Sequence, residues 1–290
     1  MTELPPASYT CPYCRLASAG AGPACPHCGA PTDARLRESR SGWVAQPPIR
    51  DLARIRFGRS SCQISGSYVP VAELQLDSAD SVYFAHHALL HTDPGVTVDV
   101  RQMPAGWNRV MAGQPVSFLT GTGPGHLAIS ADAPGETIAV PMTPGRCVDV
   151  HEHRFLAATA NVSYDWHDAR IWFSSQAKGS PKMMHYPAGQ YLDRFSAADQ
   201  PGLLLLHAHG NVFVRDLAAD EQIRIKPSSL VWKDRDVSMS LATERSSGGR
   251  GVTMWLVLHG PGRLAVQSVF WNVGWSGDLV DSSPRTRTAW

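Results

Sequence analysis

The sequence is poor in lysine, which occurs only at Lys178, Lys182, Lys226 and Lys233, and poor in charge generally, at 18% of residues. A formal net charge of +1 excludes a polyelectrolyte chain. Arginine in place of lysine, with abundant Ala, Gly and Pro, fits a GC-rich bacterial genome as well as any chemical requirement. No run of about 18 apolar residues is present, so no transmembrane helix is expected. The longest apolar clusters, such as GLLLLHAHG at 202–210, are strand-sized. The opening MTELPPASYT lacks a basic-then-apolar signal pattern. Cysteine nearly disappears after residue 28, leaving Cys62 and Cys147. That argues against a disulfide framework and for a reducing compartment, so a cytoplasmic protein is expected. Also missing are a G-x-S-x-G elbow and the His-Glu-x-x-His of a metallohydrolase.

What is present, after Cys62, is a series of short alternating segments: VAELQL, VTVDV, HLAIS, TIAVPM, VSYDW, NVFVRDL, QIRIK and RLAVQSVF. Pro, Gly, Asp and Ser clusters separate them. Period-two alternation with turn punctuation predicts strands, and no long amphipathic helix interrupts them. An all-β body follows, large enough at this chain length to bury a substantial core.

The strands repeat. Residues 89–98 (LLHTDPGVTV), 155–164 (FLAATANVSY) and 230–239 (LVWKDRDVSM) align without gaps, with Val eighth and Thr or Ser ninth. A second anchor follows each: FLTGTGPGHLAI, LLLLHAHGNVFV and WLVLHGPGRLAV. In these, Gly125, Gly210 and Gly262 are placed at equivalent hairpin turns. The middle repeat then holds roughly twenty extra residues around SSQAKGSPKMMHYPAGQY. Three tandem β units about a pseudo-threefold axis are predicted, at about 61–133, 134–220 and 221–281, with a tail at 282–290.

Ahead of the body, Cys11 and Cys14 lie in CPYC, and Cys25 and Cys28 in CPHCG. Each C-x2-C loop can fold into a knuckle that aims two thiolates at one ion, and four thiolates complete a tetrahedral Zn2+ shell. A zinc ribbon at 1–33 is predicted, with one structural zinc that drives its folding. His27 lies inside a knuckle, as a solvent-facing neighbour rather than a ligand. Residues 34–60 read as an arginine-rich linker. Charge is partitioned accordingly: −1 over residues 1–33, +5 over 34–59 and −3 over 60–290.

Within the body, Asp149, His151 and His153 of DVHEH would share one face of a strand, a weak metal-site candidate. His207 aligns with His259 and Thr122 at a strand end, and GTGPG (121–125) reads as a tight turn rather than a phosphate loop. Cys62 and Cys147 read as small buried apolar residues. Trp43 and Trp290 are the tryptophans expected to be exposed and available to a partner.

The segments GSYVPVAELQL, GPGHLAISADAPGE, VDVHEHRFLAATANVSYDW and GPGRLAVQSVF give the body, over about Cys62 to Asp281, a resemblance to the altered-inheritance-of-mitochondria twenty-four family. The resemblance implies a β-sandwich akin to the tryptophan RNA-binding attenuation protein (TRAP), triplicated in one chain, and no agreed enzymatic activity. Eukaryotic members of that family are linked to mitochondrial inner-membrane organisation. The cysteine module is an addition to the family domain. The expected role is a non-enzymatic binding or scaffold protein with the ribbon and linker as a docking arm for a protein partner, in monomeric or oligomeric form. Weak nucleic-acid binding by the ribbon and basic linker is the alternative, and a metal-dependent enzyme using the His-rich strand faces comes third.

Overall fold

The computed structural model describes residues 8–11, 16–19, 24–27, 43–45, 54–102, 117–176, 178–245, 252–270 and 278–282. The chain divides into two compact units, Met1–Ala45 and Gln46–Trp290. In the first, Ser8–Thr10 (β1) and Ala17–Ala19 (β2) form an antiparallel hairpin, and Val44–Ala45 (β3) is extended.

The second unit is all-β. It begins with a hairpin, Arg54–Phe57 (β4) and Ser60–Ser65 (β5), which adds to the edge of the next strand. Three stretches of six strands follow. The first holds Val71–Leu76 (β6), Ser81–Ala85 (β7), Leu89–Thr92 (β8), Thr97–Gln102 (β9), Ser117–Thr122 (β10) and Gly125–Ser130 (β11). The second opens with Glu136–Met142 (β12), Cys147–His151 (β13), Phe155–Thr159 (β14) and Val162–Asp168 (β15). It then inserts the hairpin Phe173–Gln176 (β16) and Met183–His185 (β17), where the extra residues of the middle stretch were expected. It closes with Tyr191–Ala197 (β18) and Gly202–Ala208 (β19). The third holds Val212–Leu217 (β20), Gln222–Ile225 (β21), Leu230–Asp234 (β22), Ser238–Arg245 (β23), Val252–His259 (β24) and Gly262–Gln267 (β25). Asp278–Ser282 (β26) pairs with β16.

One pairing scheme recurs in all three stretches. The first strand pairs antiparallel with the sixth, and the second with the fifth. The fourth also pairs with the fifth. The third pairs with the sixth through a register shift at the same place each time, which skips Leu90, Leu156 and Val231. Each stretch is thus split between two sheets, and successive stretches are joined where the second strand of one pairs with the third strand of the next.

The turn before the sixth strand explains the conserved spacing inside the chain. Asp93 Oδ2 accepts the His126 amide, Thr159 Oγ1 the Leu203 amide, and Asp234 Oδ2 the Arg263 amide. Gly125, Gly202 and Gly262 precede those amides. A Cβ there would lie within 2.9, 2.5 and 2.9 Å of Val96, Val162 and Val237, the three valines at the eighth place of the aligned segments. The second of these turns therefore centres on Gly202, not on Gly210, which lies between β19 and β20. It follows that β20, expected in the second repeat, pairs with β25 of the third. A longer turn, Ala198–Pro201, hides the match in sequence. The boundary of the linker also moves. Arg54 and Arg56 stand on β4, and the Arg59 amide donates to Asp80, so three of the seven arginines assigned to the linker belong to a β-hairpin of the body.

The core is aromatic where the first two stretches meet. Tyr83, Phe118, Phe155, Phe195 and Tyr164 stack in a chain with centroid spacings of 4.7–5.9 Å. The Tyr83 hydroxyl, buried with them, donates to the Val162 carbonyl at 2.9 Å. Burying such rings contributes most of the local stability, and the hydrogen bond removes the cost of the buried hydroxyl.

Candidate functional site

A buried group of charges in the body is built on β13. Its sequence alternates, so Val148 and Val150 point one way and Asp149 the other. Asp149 is only 1% exposed. A carboxylate that deep needs partners, and it has two. Arg194 on β18, directly opposite, donates from Nε to Oδ1 at 2.7 Å and from Nη2 to Oδ2 at 3.1 Å. Lys233 on β22, opposite on the other side, donates from Nζ to Oδ2 at 2.8 Å. Burial alone would raise the carboxyl's pKa, but the hydrogen bonds from Arg194 and the Lys233 charge outweigh it and hold the group below the usual carboxylate range.

His167 borders this pair, with Nε2 3.8 Å from Asp149 Oδ2 and 3.4 Å from Arg194 Nη2. Burial pushes its pKa down, against the pull of Asp149. The cluster lines a cavity of about 300 Å³ whose wall also holds Asp168, Arg170, Arg235 and Asp236. The site can hold a polar or anionic group at its rim. Its one buried carboxylate has both oxygens occupied by cations, so it is a poor general base.

The other sequence candidates are dispersed. His151 is on β13, but the strand ends there and His153 sits in the following turn with φ +64°, so Asp149, His151 and His153 do not form one ligand face. His207 is on β19, a sixth strand, whereas His259 is on β24, a fifth strand, so the two are not equivalent. His207 instead meets His209, rings 4.9 Å apart, near buried Arg154. Its Nε2 is buried without a hydrogen-bond partner. Cys62 is fully buried, its thiol pushed up to about 12 by desolvation, and burial raises Cys147 as well. Trp43 is half-buried, and Trp290 lies outside the described residues. A Ser–His hydrogen bond joins Ser175 Oγ and His185 Nε2 at 2.8 Å across the inserted hairpin. Ser175 is 3% exposed and His185 stacks on Phe173, which shuts that hydroxyl away from a substrate.

Of the four proposed zinc ligands, Cys11 and Cys25 are buried, at 1% and 2% exposure, and Cys14 and Cys28 lie outside the described residues. The Cys11 amide donates to the Leu16 carbonyl at 3.0 Å. Among the described residues no group of three or more metal-ligating side chains comes together, and no helix is long and apolar enough to cross a membrane.

Comparison with known proteins places this architecture. The family described as Mitochondrial biogenesis AIM24 matches residues 62–269. A crystal structure of a Streptococcus pyogenes protein superposes with a TM-score of 0.54 at 18% identity, over 73% of this chain and 94% of the other. At that identity the likeness concerns the fold. No curated protein matches the chain.

Proposed function

Because the chain belongs to the AIM24 family, whose domain spans residues 62–269, we propose that it is a non-enzymatic binding or scaffold protein of the cytoplasm. In this reading the body is three TRAP-like repeats about a pseudo-threefold axis, and residues 1–45 form a docking arm around a zinc ribbon. The supporting observation is the Asp149 cluster: this buried carboxylate is spent on Arg194 and Lys233 rather than on activating a nucleophile. Affinity purification of the intact chain beside a truncation to residues 46–290 tests the proposal. Reproducible recovery of one partner by the intact chain, and its loss on truncation, is expected. Ester or phosphoester turnover that disappears in Asp149→Asn would overturn it. The cut is placed at residue 45 because a cut at 59 would remove β4.

The zinc carries its own prediction. Purified protein is expected to hold about one zinc per chain through Cys11, Cys14, Cys25 and Cys28. Bound there, the ion would supply structure rather than chemistry, since four thiolates leave no open position. Elemental analysis of wild type and of the Cys11→Ser/Cys25→Ser double variant checks it. Full zinc content in the double variant would move the site elsewhere. Chelation should leave the strand signal of the body intact, because its core is separate.

A further inference from the structure

Two arginine or lysine side chains of the body are buried among the described residues, Lys233 and Arg154, each 4% exposed. Lys233 has Asp149 beside it. Arg154 has no such partner. None of the ion pairs among the described residues includes it, and its Nε is buried without a hydrogen-bond partner. Burial lowers its pKa to about 10, and no carboxylate acts against that. The guanidinium is therefore still charged at neutral pH, and an uncompensated charge in the interior is costly.

Its surroundings are basic too. The Arg154 carbonyl accepts the His207 amide at 2.7 Å, which extends the pairing of Phe155 with Leu206 by one residue. Residues directly opposite on antiparallel strands share a face, so Arg154 and His207 stand on one side of the sheet. His209 joins them, its ring 4.9 Å from that of His207. The Arg154 charge bears on both histidines and on His151. His207 is itself 4% exposed, and its Nε2 is a second buried nitrogen without a hydrogen-bond partner. The carboxylates nearby do not serve Arg154. Glu136 stands opposite Ala208, one residue out of step with His207, and so lies on the other face. Asp132 is exposed and acts on His207 and His209 alone. Two loops close over the basic side. Thr137, opposite His207 on β12, is fully buried and donates its hydroxyl to the Pro70 carbonyl at 3.1 Å. The Gly135 amide donates to the Tyr68 carbonyl at 2.9 Å. Position 135 puts no side chain over His207: a Cβ there would lie 2.8 Å from Nε2.

We propose that Arg154 and His207 form a buried binding site for inorganic phosphate, the guanidinium donating to its oxygens and His207 Nε2 meeting another. Arginine's fork of N–H donors matches an oxyanion of this kind. Phosphate near neutral pH carries both negative charge and a proton, so it satisfies a guanidinium that only donates and an imidazole nitrogen in either protonation state. A water molecule would take up the free N–H groups but leave the charge uncompensated. With both side chains 4% exposed, the ligand is the free ion rather than a phosphoryl group carried on a larger molecule. The inference goes beyond the docking-arm reading and stands without it, since no residue of the first unit takes part.

Titration calorimetry of the full-length chain with sodium phosphate, after dialysis into phosphate-free buffer, tests it. Wild type is expected to bind one phosphate per chain and to melt at a higher temperature with phosphate present. Arg154→Met should bind none. Arg154→Lys keeps the charge but loses the fork and should weaken binding by at least about tenfold. His207→Leu should weaken it as well. Arg235→Gln, which removes an exposed arginine from another cavity, should bind like wild type. Glycerol 3-phosphate should not compete. Wild type that binds no phosphate, Arg154→Met or Arg154→Lys that binds as wild type does, loss of binding in Arg235→Gln, or glycerol 3-phosphate that competes on equal terms would each overturn the proposal.

Discussion

Replacing Asp149 with alanine will cost the body about 3–5 kcal/mol of stability, the range seen when one member of a buried ion pair is removed. The reason is what remains. Lys233 keeps a side chain only 5% exposed, with its ammonium robbed of the carboxylate 2.8 Å away. Arg194, 27% exposed, can turn toward water, so the loss centres on the lysine. Lys233→Met alone should cost less, because Asp149 keeps its two-pronged contact with Arg194. The double variant Asp149→Leu/Lys233→Met should recover most of the loss, since apolar residues often replace a buried pair without penalty. The other junction makes the point within the same molecule: Tyr83 and Ala158 occupy the places of Asp149 and Lys233 there. Urea unfolding reads the outcome as a lowered midpoint at constant slope. A loss below about 1 kcal/mol for Asp149→Ala would mean that Lys233 reaches water in the native state.

Mild acid will unfold the body sooner than its carboxylates alone predict, and His207 is one cause beside His151, which burial also holds at about 4. The His207 side chain is 4% exposed, and burial, helped by His209 and Arg154 and opposed by Asp132, lowers its pKa to about 4 from 6.5. The native state therefore holds it neutral where the unfolded chain takes up a proton. Stability attributable to this group is complete above about pH 6.5 and falls as pH drops toward 4, by roughly 3 kcal/mol over the full interval. Asp149, whose pKa is depressed, loses its contribution only at still lower pH. Stability measured at pH 7.5 and 4.5 should differ markedly in wild type and less in His207→Leu, which leaves the contribution of His151. Equal slopes in the two proteins would assign the acid sensitivity to other groups.

Much of the architecture could be read from the amino-acid order. Alternation in VAELQL and GRLAVQ marks β6 and β25, and the eighth-place valines found by alignment are the ones that press on the turn glycines. The failures have local causes. RIRF in β4 alternates, but its polar positions are arginines, and charge masked the strand. In the middle stretch the turn before the sixth strand is longer, so the nearby Gly210 offered a false match for Gly202. The Asp149 cluster was half visible. The aspartate stood out in DVHEH, yet its partners lie 45 and 84 residues away, and only pairing of β13 with β18 and β22 brings them together. His153 dropped out of the candidate face because the chain turns at Glu152 and His153, where strand periodicity no longer applies.

Splitting every stretch between two sheets has a consequence during synthesis. Phe84 has left the ribosome long before its partner Ala157 has been made. At about 5–20 residues per second, the outer edge of β7 waits on the order of several seconds before β14 can cover it. The first stretch therefore emerges as an incomplete sandwich, with one strand's amides and the ring of Tyr83 uncovered. The same wait recurs between β13 and β22. Unlike beads on a string, these stretches mature only as each successor arrives, and nascent chains on neighbouring ribosomes have that interval in which to exchange strands.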